Sequence, residues 1–576
     1  MSVSKYIPRI NRVIIENFKA FRERQEFKLA PITLLYGPNS AGKSSIIQAL
    51  AYAYHISRTK DFDPQFLDIG GSRISVGGYE NLVYNHDPNR NITLGFEVDH
   101  TEFNSTIMLS DVQITSSTHI VTFDSKCCKE YELQLNGVFF LRMKTETYEY
   151  TKDDITKVPE ISLIKQTSSM KITEFNHNHP VAINAWITLC KSACESACKS
   201  NSNLGKEVQV RSEEKFNEFL QKEWIIKNPP SEMLDEYLLQ YIFSPHQFPP
   251  SCNNIDLTVL HDINKREQEF EDLTQEMITN EDDSTVRVSG DIGAMFAKRA
   301  SVFIMHVVDD AINALSRQEN KGGVESALTL IHLGPHRYVP ERNWIIKNAH
   351  SSGNMIEFMA EGWALESDAL NFVNSWLNSQ NRLDTNYEIR EREFIEHQPE
   401  STKHSAPSKR VSSIYLYDLN RNIEVAFSDV GSGISQILPV LLASSMASDD
   451  IILIEQPELH LHPALQAELA DLFIMCSRRN SEDISNEDLM ADAGIFIIET
   501  HSEHLLLRLM RRIRETRNKT LPEDMPPITK NEVCVLYIEN LGTRSIVREM
   551  PLNNYGELVR DWPGGFFEEG LREVLI

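Results

Sequence analysis

The chain has 576 residues, of which 41% are hydrophobic and 24% charged, so it is long enough to bury a large core and to divide into several domains. Its 83 acidic and 57 basic residues give a formal net charge of −26, which repels phosphate backbones and confines any nucleic-acid contact to a local basic patch. No apolar run approaches the roughly 18 residues of a membrane-spanning helix, and the N-terminus lacks the apolar core of a secretion signal. Eight cysteines without paired metal-ligand spacing predict reduced thiols in a cytoplasmic protein with no membrane partner.

The first part of the chain, residues 1–183, is predicted as one domain. Apolar and polar residues alternate over 10–35, which indicates strands that lead into a glycine-rich loop. A helix is expected from about Lys43 to Arg58. Short alternating runs across 90–150 then predict an antiparallel sheet.

The glycine-rich loop at 37–44 reads GPNSAGKS and matches the phosphate-binding pattern G-x-x-x-x-G-K-[ST] between a predicted strand and a predicted helix. Lys43 is expected to contact the β- and γ-phosphates of ATP, and the Ser44 hydroxyl to coordinate Mg²⁺. A chance glycine-rich turn is the alternative, which the strand and helix on either side disfavour. The nucleotide-binding residues predicted in this loop are Asn39, Ser40, Ala41, Gly42, Lys43, Ser44 and Ser45.

The middle of the chain, residues 184–327, has a mostly helical and acidic pattern broken by proline-rich segments, which predicts a helical insertion. Cys190, Cys194 and Cys198 recur every four residues and share one helical stripe. Because tetrahedral zinc sites normally take ligand pairs from two elements, a packed helix face is favoured over a metal site. Strand patterns return afterwards, and 328–576 is predicted as the second lobe.

Three segments of this second lobe follow one another in an order that is hard to obtain by chance. Residues 427–442 place a Ser-Gly turn before an apolar helix. Residues 451–463 begin with a buried strand that ends at Glu455, and residues 495–509 form another buried strand followed by His501 and a helix. Each segment alone is a weak signal.

With these motifs the chain resembles the ABC-type ATPase heads of the SMC-like and OLD-type group, among bacterial AAA family ATPases that carry the DUF3696 region. The resemblance covers 1–100 and 328–576. It is carried by GPNSAGKSS, IHLGPHRYVPER, DVGSGISQILP, IEQPELHLHP, ETHSEHLLLRL and NNYGELVRDWPGGFFEE. It implies an α/β fold, a two-lobed P-loop NTPase head with a mixed β-sheet and a mostly helical insertion.

The resemblance also implies roles for single residues. Ser432 and Gly433 would contact the γ-phosphate of ATP bound to the opposite subunit. Glu455 would hold magnesium through water, and His501 would contact the γ-phosphate. Since such a signature turn cannot reach its own subunit's ATP, two heads would enclose two nucleotides, and an ATP-dependent homodimer is expected.

The residue after Glu455 departs from the pattern of related heads, in which a second acid polarises the attacking water. Here it is Gln456, which can position a water but cannot accept its proton. Three interpretations stay open: Glu455 serves both magnesium and water, Glu458 acts as the base, or turnover is slow and ATP mainly clamps the dimer. Slow hydrolysis is favoured, because positioning and charge stabilisation supply much of phosphoryl transfer.

Several polar residues outside these motifs are further candidates. Arg337 and Arg342 either contact phosphate or the opposite subunit, or form a buried ion pair that fixes a turn, and the two interpretations are even. Gln65, Gln436 and Asp68 are candidates for coupling or dimer contacts, for which a structural role is favoured.

Four histidines invite a metal-site interpretation, namely His177, His179, His460 and His462. The last two are better explained by a role in shaping the HLHP turn.

The helix predicted over 501–519 carries six Lys or Arg residues and two Glu. Arg508, Arg511, Arg512 and Arg514 are expected on one side of it. Two interpretations are equal: this basic face at 508–519 contacts DNA or RNA, or it pairs with the acidic middle region.

The biological role is suggested by the resemblance alone. Similarity to the ATPases of Septu-like systems, including retron-associated ones, implies a sensor or scaffold subunit in anti-phage defence that works with a separate HNH-type nuclease. OLD-type proteins carry a nuclease domain after the head, and no cluster of metal-binding acids follows the ATPase motifs here, so a partner is expected to do any cutting. The alternative is an SMC-like ATPase that clamps DNA in repair or chromosome maintenance. A transporter ATPase is disfavoured by the degenerate signature and the acidic insertion.

Overall fold

The computed structural model describes eleven stretches of the chain. They are residues 9–69, 72–99, 114–149, 166–176, 178–182, 330–337, 367–379, 382–395, 410–445, 451–477 and 494–567. The predicted insertion at 184–327 lies outside them, together with its cysteines, and so do His177 and Arg342. None of the described helices is both long and apolar enough to cross a bilayer. The four cysteines in the described stretches, Cys127, Cys128, Cys476 and Cys534, form no disulfide.

The chain divides into two compact units. The first takes its residues from Met1–Ile14, Ile56–Phe62 and Asn91–Asn320, and the second from Ile15–His55, Asp63–Arg90 and Lys321–Ile576. The strands that open the chain are β1 (Arg9–Glu16) and β2 (Gln25–Lys28).

The first unit contains an antiparallel meander in which each strand pairs with the next. Its strands are β6 (Ile92–Asp99), β7 (Ser116–Phe123), β8 (Cys128–Leu135), β9 (Val138–Glu149) and β10 (Gln166–Phe175). The antiparallel sheet predicted for this region is therefore confirmed. His179 is buried, accepts a hydrogen bond on Nδ1 from the Val181 N–H (3.1 Å) and lies 3.1 Å from the Leu135 carbonyl through Nε2. With both ring nitrogens engaged, His179 has a structural role.

The second unit is built on a six-stranded mixed sheet. Its strands are β3 (Ile32–Tyr36), β11 (Leu330–Leu333), β15 (Ile451–Glu455), β16 (Ile495–Glu499), β17 (Val533–Asn540) and β18 (Ser545–Glu549). They are ordered β11-β15-β16-β3-β17-β18, with all neighbours parallel except the last pair. The central strands are buried on both faces, which accounts for their continuous aliphatic runs. The predicted α/β class with a mixed sheet is confirmed.

Further strands of this unit form two smaller sheets. They are the hairpin β4 (Phe66–Ile69) and β5 (Ser72–Ser75), and the antiparallel sheet β12 (Tyr387–Ile395), β13 (Arg410–Asp418) and β14 (Ile423–Val425).

The helices of the described stretches are α1 (Lys43–Thr59), α2 (Tyr79–Leu82), α3 (Ser367–Asn378), α4 (Ser432–Ser445), α5 (Pro463–Cys476) and α6 (Glu503–Asn518). Side chains cap the start of the last two. Ser502 caps α6 by accepting a hydrogen bond from the Leu505 N–H, and His462 caps α5 by accepting one from the Ala464 N–H. This cap confirms the structural role predicted for His462.

Parallel strands bring distant residues to one edge of the sheet. Tyr36, Glu455 and Glu499 are the last residues of β3, β15 and β16, and these strands run in the same direction. Ligands of open α/β sheets bind outside the carboxyl ends of the strands. The glycine-rich loop and both strand-end acids therefore belong to one region.

Candidate ATP-binding site

The loop between β3 and α1 adopts a backbone that requires glycine at two positions. Gly37 and Gly42 have φ values of 147° and 104°, which L side chains rarely adopt. A Cβ on Gly37 would overlap the carbonyl oxygen of Ile538, and one on Gly42 would lie 2.9 Å from the Ala20 Cβ. The backbone can therefore pass tightly around a group the size of a phosphate.

Lys43 is enclosed by this loop and is only 4% exposed. Its Nζ donates to the carbonyl oxygens of Gly37 (3.0 Å) and Pro38 (3.1 Å) and lies 3.8 Å from Glu499 Oε1. Burial lowers the pKa of Lys43, and the Glu499 carboxylate opposes that shift. A buried ammonium group enclosed by this glycine-dependent loop suits the predicted contact with ATP.

The other predicted nucleotide-binding residues surround Lys43. Asn39 and Ser40 are exposed at the rim, whereas Ala41 and Ser45 are buried. Ser44 is partly buried and is the second residue of α1, and its hydroxyl faces Glu499.

Glu499 is a candidate site residue that the sequence analysis does not single out. Its Oε2 accepts a hydrogen bond from the Ser44 hydroxyl at 2.7 Å, and the residue is 5% exposed. Burial raises the pKa of Glu499, and the nearby charges of Glu455 and Glu458 raise it further, against the Ser44 hydrogen bond and Lys43. The available signal was an acid that ends a buried aliphatic strand, IFIIE, as Glu455 ends IILIE.

Glu455 lies beside Glu499, because the two residues are register partners on adjacent parallel strands. Its Oε1 is 2.9 Å from Nε2 of His332, a buried residue of β11. His332 belongs to the IHLGPHR motif but was assigned no role from the sequence. The pair gives the Glu455 carboxylate a defined orientation.

Gln456 turns the chain sharply after β15, with a φ of 47°. Its backbone N–H donates to the Glu499 carbonyl at 2.7 Å. Its carbonyl accepts from Nη2 of Arg337 (3.2 Å), which also donates to the Glu455 carbonyl (2.8 Å). Hydrogen bonds from both its N–H and its carbonyl therefore hold the backbone of Gln456, the residue that replaces the usual second acid.

Arg337 is buried, and its contacts match the interpretation in which it fixes a turn. It does so by donating hydrogen bonds to backbone carbonyls. Its Nη1 also donates to the Gln436 carbonyl at 3.3 Å, and its Nε is buried without a hydrogen-bond partner. Burial lowers the pKa of Arg337 to about 10, against the charges of Glu458 and Glu455. Gln436 returns two bonds to the Arg337 backbone, at 3.2 and 3.0 Å, so α4 is joined to the Glu455–Gln456 turn.

Gln65 and Asp68 have local structural contacts. The Gln65 carbonyl accepts from the N–H groups of Val76 and Gly77, and the exposed Asp68 pairs with Arg73 across the β4–β5 hairpin at 3.5 Å.

Glu458 already uses both carboxylate oxygens. Oε1 accepts from the His501 N–H (2.7 Å) and Oε2 from the Thr500 hydroxyl (2.8 Å). Burial raises the pKa of Glu458 despite these bonds. Because this buried carboxylate holds the Thr500 hydroxyl and the His501 N–H in place, the structure favours a structural role.

His501 follows β16 and points a free nitrogen into the protein. Its Nε2 is buried and has no hydrogen-bond partner. Burial lowers the pKa of His501, and the charge of Lys43 lowers it further, so the imidazole is neutral at pH 7. An unsatisfied buried nitrogen near Lys43 suits the predicted γ-phosphate contact.

The signature turn has one exposed and one packed residue. Ser432 is exposed at the start of α4. Gly433 lies against its own chain, since a Cβ there would be 2.9 Å from the His460 carbonyl oxygen. Of the two predicted signature residues, Ser432 is the more exposed.

The C-terminal motif packs against the residue that precedes the phosphate loop. The rings of Trp562 and Phe567 meet Tyr36 edge-on, with centroids 5.4 and 5.5 Å apart. The Tyr36 hydroxyl donates to the Ser502 carbonyl at 2.8 Å. These contacts support the base of the loop.

The prediction of a basic face on α6 is wrong for two of its four arginines. Arg508 donates to Asp471 (2.6 Å) and Glu468 (2.9 Å), and Arg512 donates to Asp471 through Nε and Nη2 (2.8 and 2.7 Å). Asp471 is fully buried in α5. These two arginines therefore pair neither with nucleic acid nor with the acidic middle region.

The two remaining arginines of that face are exposed, and Arg511 pairs with Glu515 at 2.6 Å. Helical spacing predicts one basic face, but Arg508 and Arg512 point to the acids of α5, whereas Arg511 and Arg514 are exposed.

Replacing Arg512 is expected to cost stability. Arg512→Met leaves the buried Asp471 with fewer partners, and the free energy of unfolding should fall by about 3 kcal/mol. The matched control is Arg514→Met, on the exposed side of the same helix. Urea unfolding of both variants measures the difference, and equal stabilities would contradict a structural role for the Arg512–Asp471 pair.

The donor set suits a nucleotide-bound Mg²⁺. Ser44, Glu455 and Glu499 offer hydroxyl and carboxylate oxygens, the ligands that this hard cation prefers. In the described stretches no group of three or more His, Cys, Asp or Glu side chains forms a metal site. Nucleotide-bound Mg²⁺ needs few protein ligands, since phosphates and waters fill its other positions.

Solved structures similar to the chain include three Smc head domains. One, derived from Pyrococcus furiosus, has an extended coiled coil and is bound to the C-terminal domain of ScpA; it shares 10% identity, with 99% of each chain covered and a TM-score of 0.34. A second, from Pyrococcus yayanosii, has a coiled coil and joint, with 10% identity, 95% and 98% covered and a TM-score of 0.33. The third is from Thermotoga maritima, with 8% identity, 95% and 99% covered and a TM-score of 0.32. At these values no residue role carries over.

Comparison with protein families identifies the family of the chain. No curated protein matches the chain. The AAA ATPase domain family matches it over residues 9–506, well over half of its length. That span includes the phosphate loop, both strand-end acids and His501. The chain therefore belongs to the AAA ATPase domain family.

Proposed function

We propose that the protein binds ATP and Mg²⁺, hydrolyses ATP slowly, and closes into a head-to-head homodimer when ATP is bound. The observation that carries the ATP site is Lys43, enclosed by a glycine-dependent loop at the sheet edge where Glu455 and Glu499 end their strands. The proposal also includes a role for the protein as a subunit of an anti-phage complex with a separate HNH-type nuclease. This role rests on the resemblance of the motifs.

Each polar group of the site has a defined task in this proposal. Lys43 compensates the β- and γ-phosphates, and the neutral His501 approaches the γ-phosphate with the nitrogen that now lacks a partner. Ser44 and Glu455 hold Mg²⁺, which neutralises phosphate charge and orients the phosphates when bound. Gln456 positions the attacking water without accepting its proton, so turnover is slow.

The dimer is proposed from the geometry of the signature turn. Ser432 is exposed, while Gly433 is held against the His460 carbonyl of its own chain. A second head that approaches the start of α4 would therefore meet Ser432 first, and that helix start favours an anion such as a γ-phosphate.

Substitution of Ser432 tests the dimer. Ser432→Arg places a bulky side chain at the proposed contact, so ATP-driven dimerisation should weaken by roughly tenfold or more, while ATP binding to one head is retained. Sedimentation with and without ATP measures dimerisation, and a fluorescent ATP analogue measures binding. Ser375→Arg, at an exposed serine of α3, is the matched control.

The outcome that contradicts the proposal is unchanged ATP-dependent dimerisation of Ser432→Arg. Gly433 is less suitable for this test, because any side chain there disturbs its contact with the His460 carbonyl.

The partner is tested by purifying the protein together with the products of neighbouring genes. A nuclease that co-purifies supports the defence complex. ATP-dependent retention on DNA by the protein alone would indicate a DNA clamp instead.

A further inference from the structure

The second acid that is missing after Glu455 has a counterpart on the neighbouring strand. Glu499 ends β16 as Glu455 ends β15, and the two residues are register partners. Side chains of paired residues on adjacent strands lie on the same face of a sheet. The backbone N–H of Gln456 donates to the Glu499 carbonyl, so the turn lies against this acid.

Glu499 is also the acid that touches the phosphate loop. The Ser44 hydroxyl, the predicted Mg²⁺ ligand, donates to Glu499 Oε2 at 2.7 Å, and Lys43 Nζ lies 3.8 Å from Oε1. A metal bound by the Ser44 oxygen would therefore be within reach of the Glu499 carboxylate.

The other two acids of the region are held differently. Each oxygen of Glu458 accepts one hydrogen bond, from the Thr500 hydroxyl and from the His501 N–H. Glu455 is bound by His332 at 2.9 Å. Glu499 is buried close to both of these carboxylates, and their mutual repulsion is the kind that a divalent cation relieves.

We propose that Glu499, together with Ser44, is a ligand of the nucleotide-bound Mg²⁺. This assignment replaces Glu455 by Glu499 as the acidic Mg²⁺ ligand, so that Glu455, oriented by His332, can act with Gln456 on the attacking water. This inference rests on the proposed ATP-binding function. It supplies two acids at the site although position 456 is a glutamine: Glu499 for the metal and Glu455 for the water.

Binding of ATP with and without metal tests the inference independently of turnover. A fluorescent ATP analogue is titrated against the wild-type protein in EDTA and in Mg²⁺. In Glu499→Gln the affinity gained from Mg²⁺ should fall on the order of 10- to 100-fold. In EDTA the variant should bind the analogue as tightly as wild type or more tightly, because a negative charge has left the phosphate site.

Two further variants sharpen the result. Glu468→Gln changes a partly buried acid of α5 that pairs with Arg508, and it should keep the full Mg²⁺ effect. Glu499→Asp retains the charge on a shorter side chain and should show an intermediate loss, which keeps the test decisive if Glu499→Gln does not fold. Paramagnetic Mn²⁺ in place of Mg²⁺ should show weaker metal binding to the Glu499→Gln–ATP complex.

An unchanged Mg²⁺ effect in Glu499→Gln or Glu499→Asp would overturn the inference. A large loss of affinity already in EDTA would also overturn it, because Glu499 would then shape the loop instead of binding metal. A wild-type protein that binds no ATP under either condition would overturn the proposed function itself, which separates the two failures.

Discussion

Lys43→Ala is expected to abolish measurable ATP binding. The Nζ is held by the Gly37 and Pro38 carbonyls and has only a 3.8 Å ionic contact, to Glu499. Charged hydrogen bonds each contribute about 1.5–3 kcal/mol, so loss of the contacts to two phosphates should weaken binding by roughly a hundredfold or more. Titration with a fluorescent ATP analogue measures the effect.

The same variant is expected to fold normally without nucleotide. Burial lowers the pKa of Lys43, so the folded state disfavours its charged form and gains no stability from it. Urea unfolding of Lys43→Ala should therefore match or exceed wild type in stability. Lys28→Ala, at the exposed end of β2, is the control and should bind ATP normally. Near-normal affinity of Lys43→Ala would refute the assignment of the phosphate loop.

Gln456→Glu is expected to accelerate ATP hydrolysis. It restores a proton acceptor beside the attacking water, and general-base contributions are on the order of 10²–10⁴-fold. The left-handed backbone at this position, with φ of 47°, is already adopted by a non-glycine residue, so the change adds no backbone strain. Steady-state phosphate release measures the rate.

Two companion variants separate the candidate acids. Glu455→Gln should nearly abolish turnover, since Glu455 serves Mg²⁺, the water or both. Glu458→Gln should have a mild effect, because its carboxylate is occupied by Thr500 and His501. Fast wild-type turnover with no gain in Gln456→Glu would contradict slow hydrolysis, and a large loss in Glu458→Gln would make Glu458 the base.

The phosphate loop could be predicted from the sequence because its chemistry is local. Its glycines, Lys43 and Ser44 are consecutive, and the strand and helix beside them have clear patterns. The same holds for the strand that ends at Glu455, whose four aliphatic residues are all buried.

Glu499 was missed because its significance depends on sheet order. Only when β16 is known to lie between β15 and β3 does an acid at its end become a neighbour of both Ser44 and Glu455. Sequence spacing cannot show which strands are adjacent. The basic face of α6 failed for a related reason, since the acids that neutralise Arg508 and Arg512 belong to a helix about 40 residues earlier.

The position of β3 in the sheet has a consequence for synthesis on the ribosome. This strand, near the start of the chain, pairs with β16 on one side and β17 on the other, and the Tyr36 hydroxyl bonds a carbonyl 466 residues away. Such distant pairings form late, because the long loop must close first. A nascent chain therefore carries a complete glycine loop long before Ile495–Glu499 and Val533–Asn540, the strands that flank β3, have been synthesised.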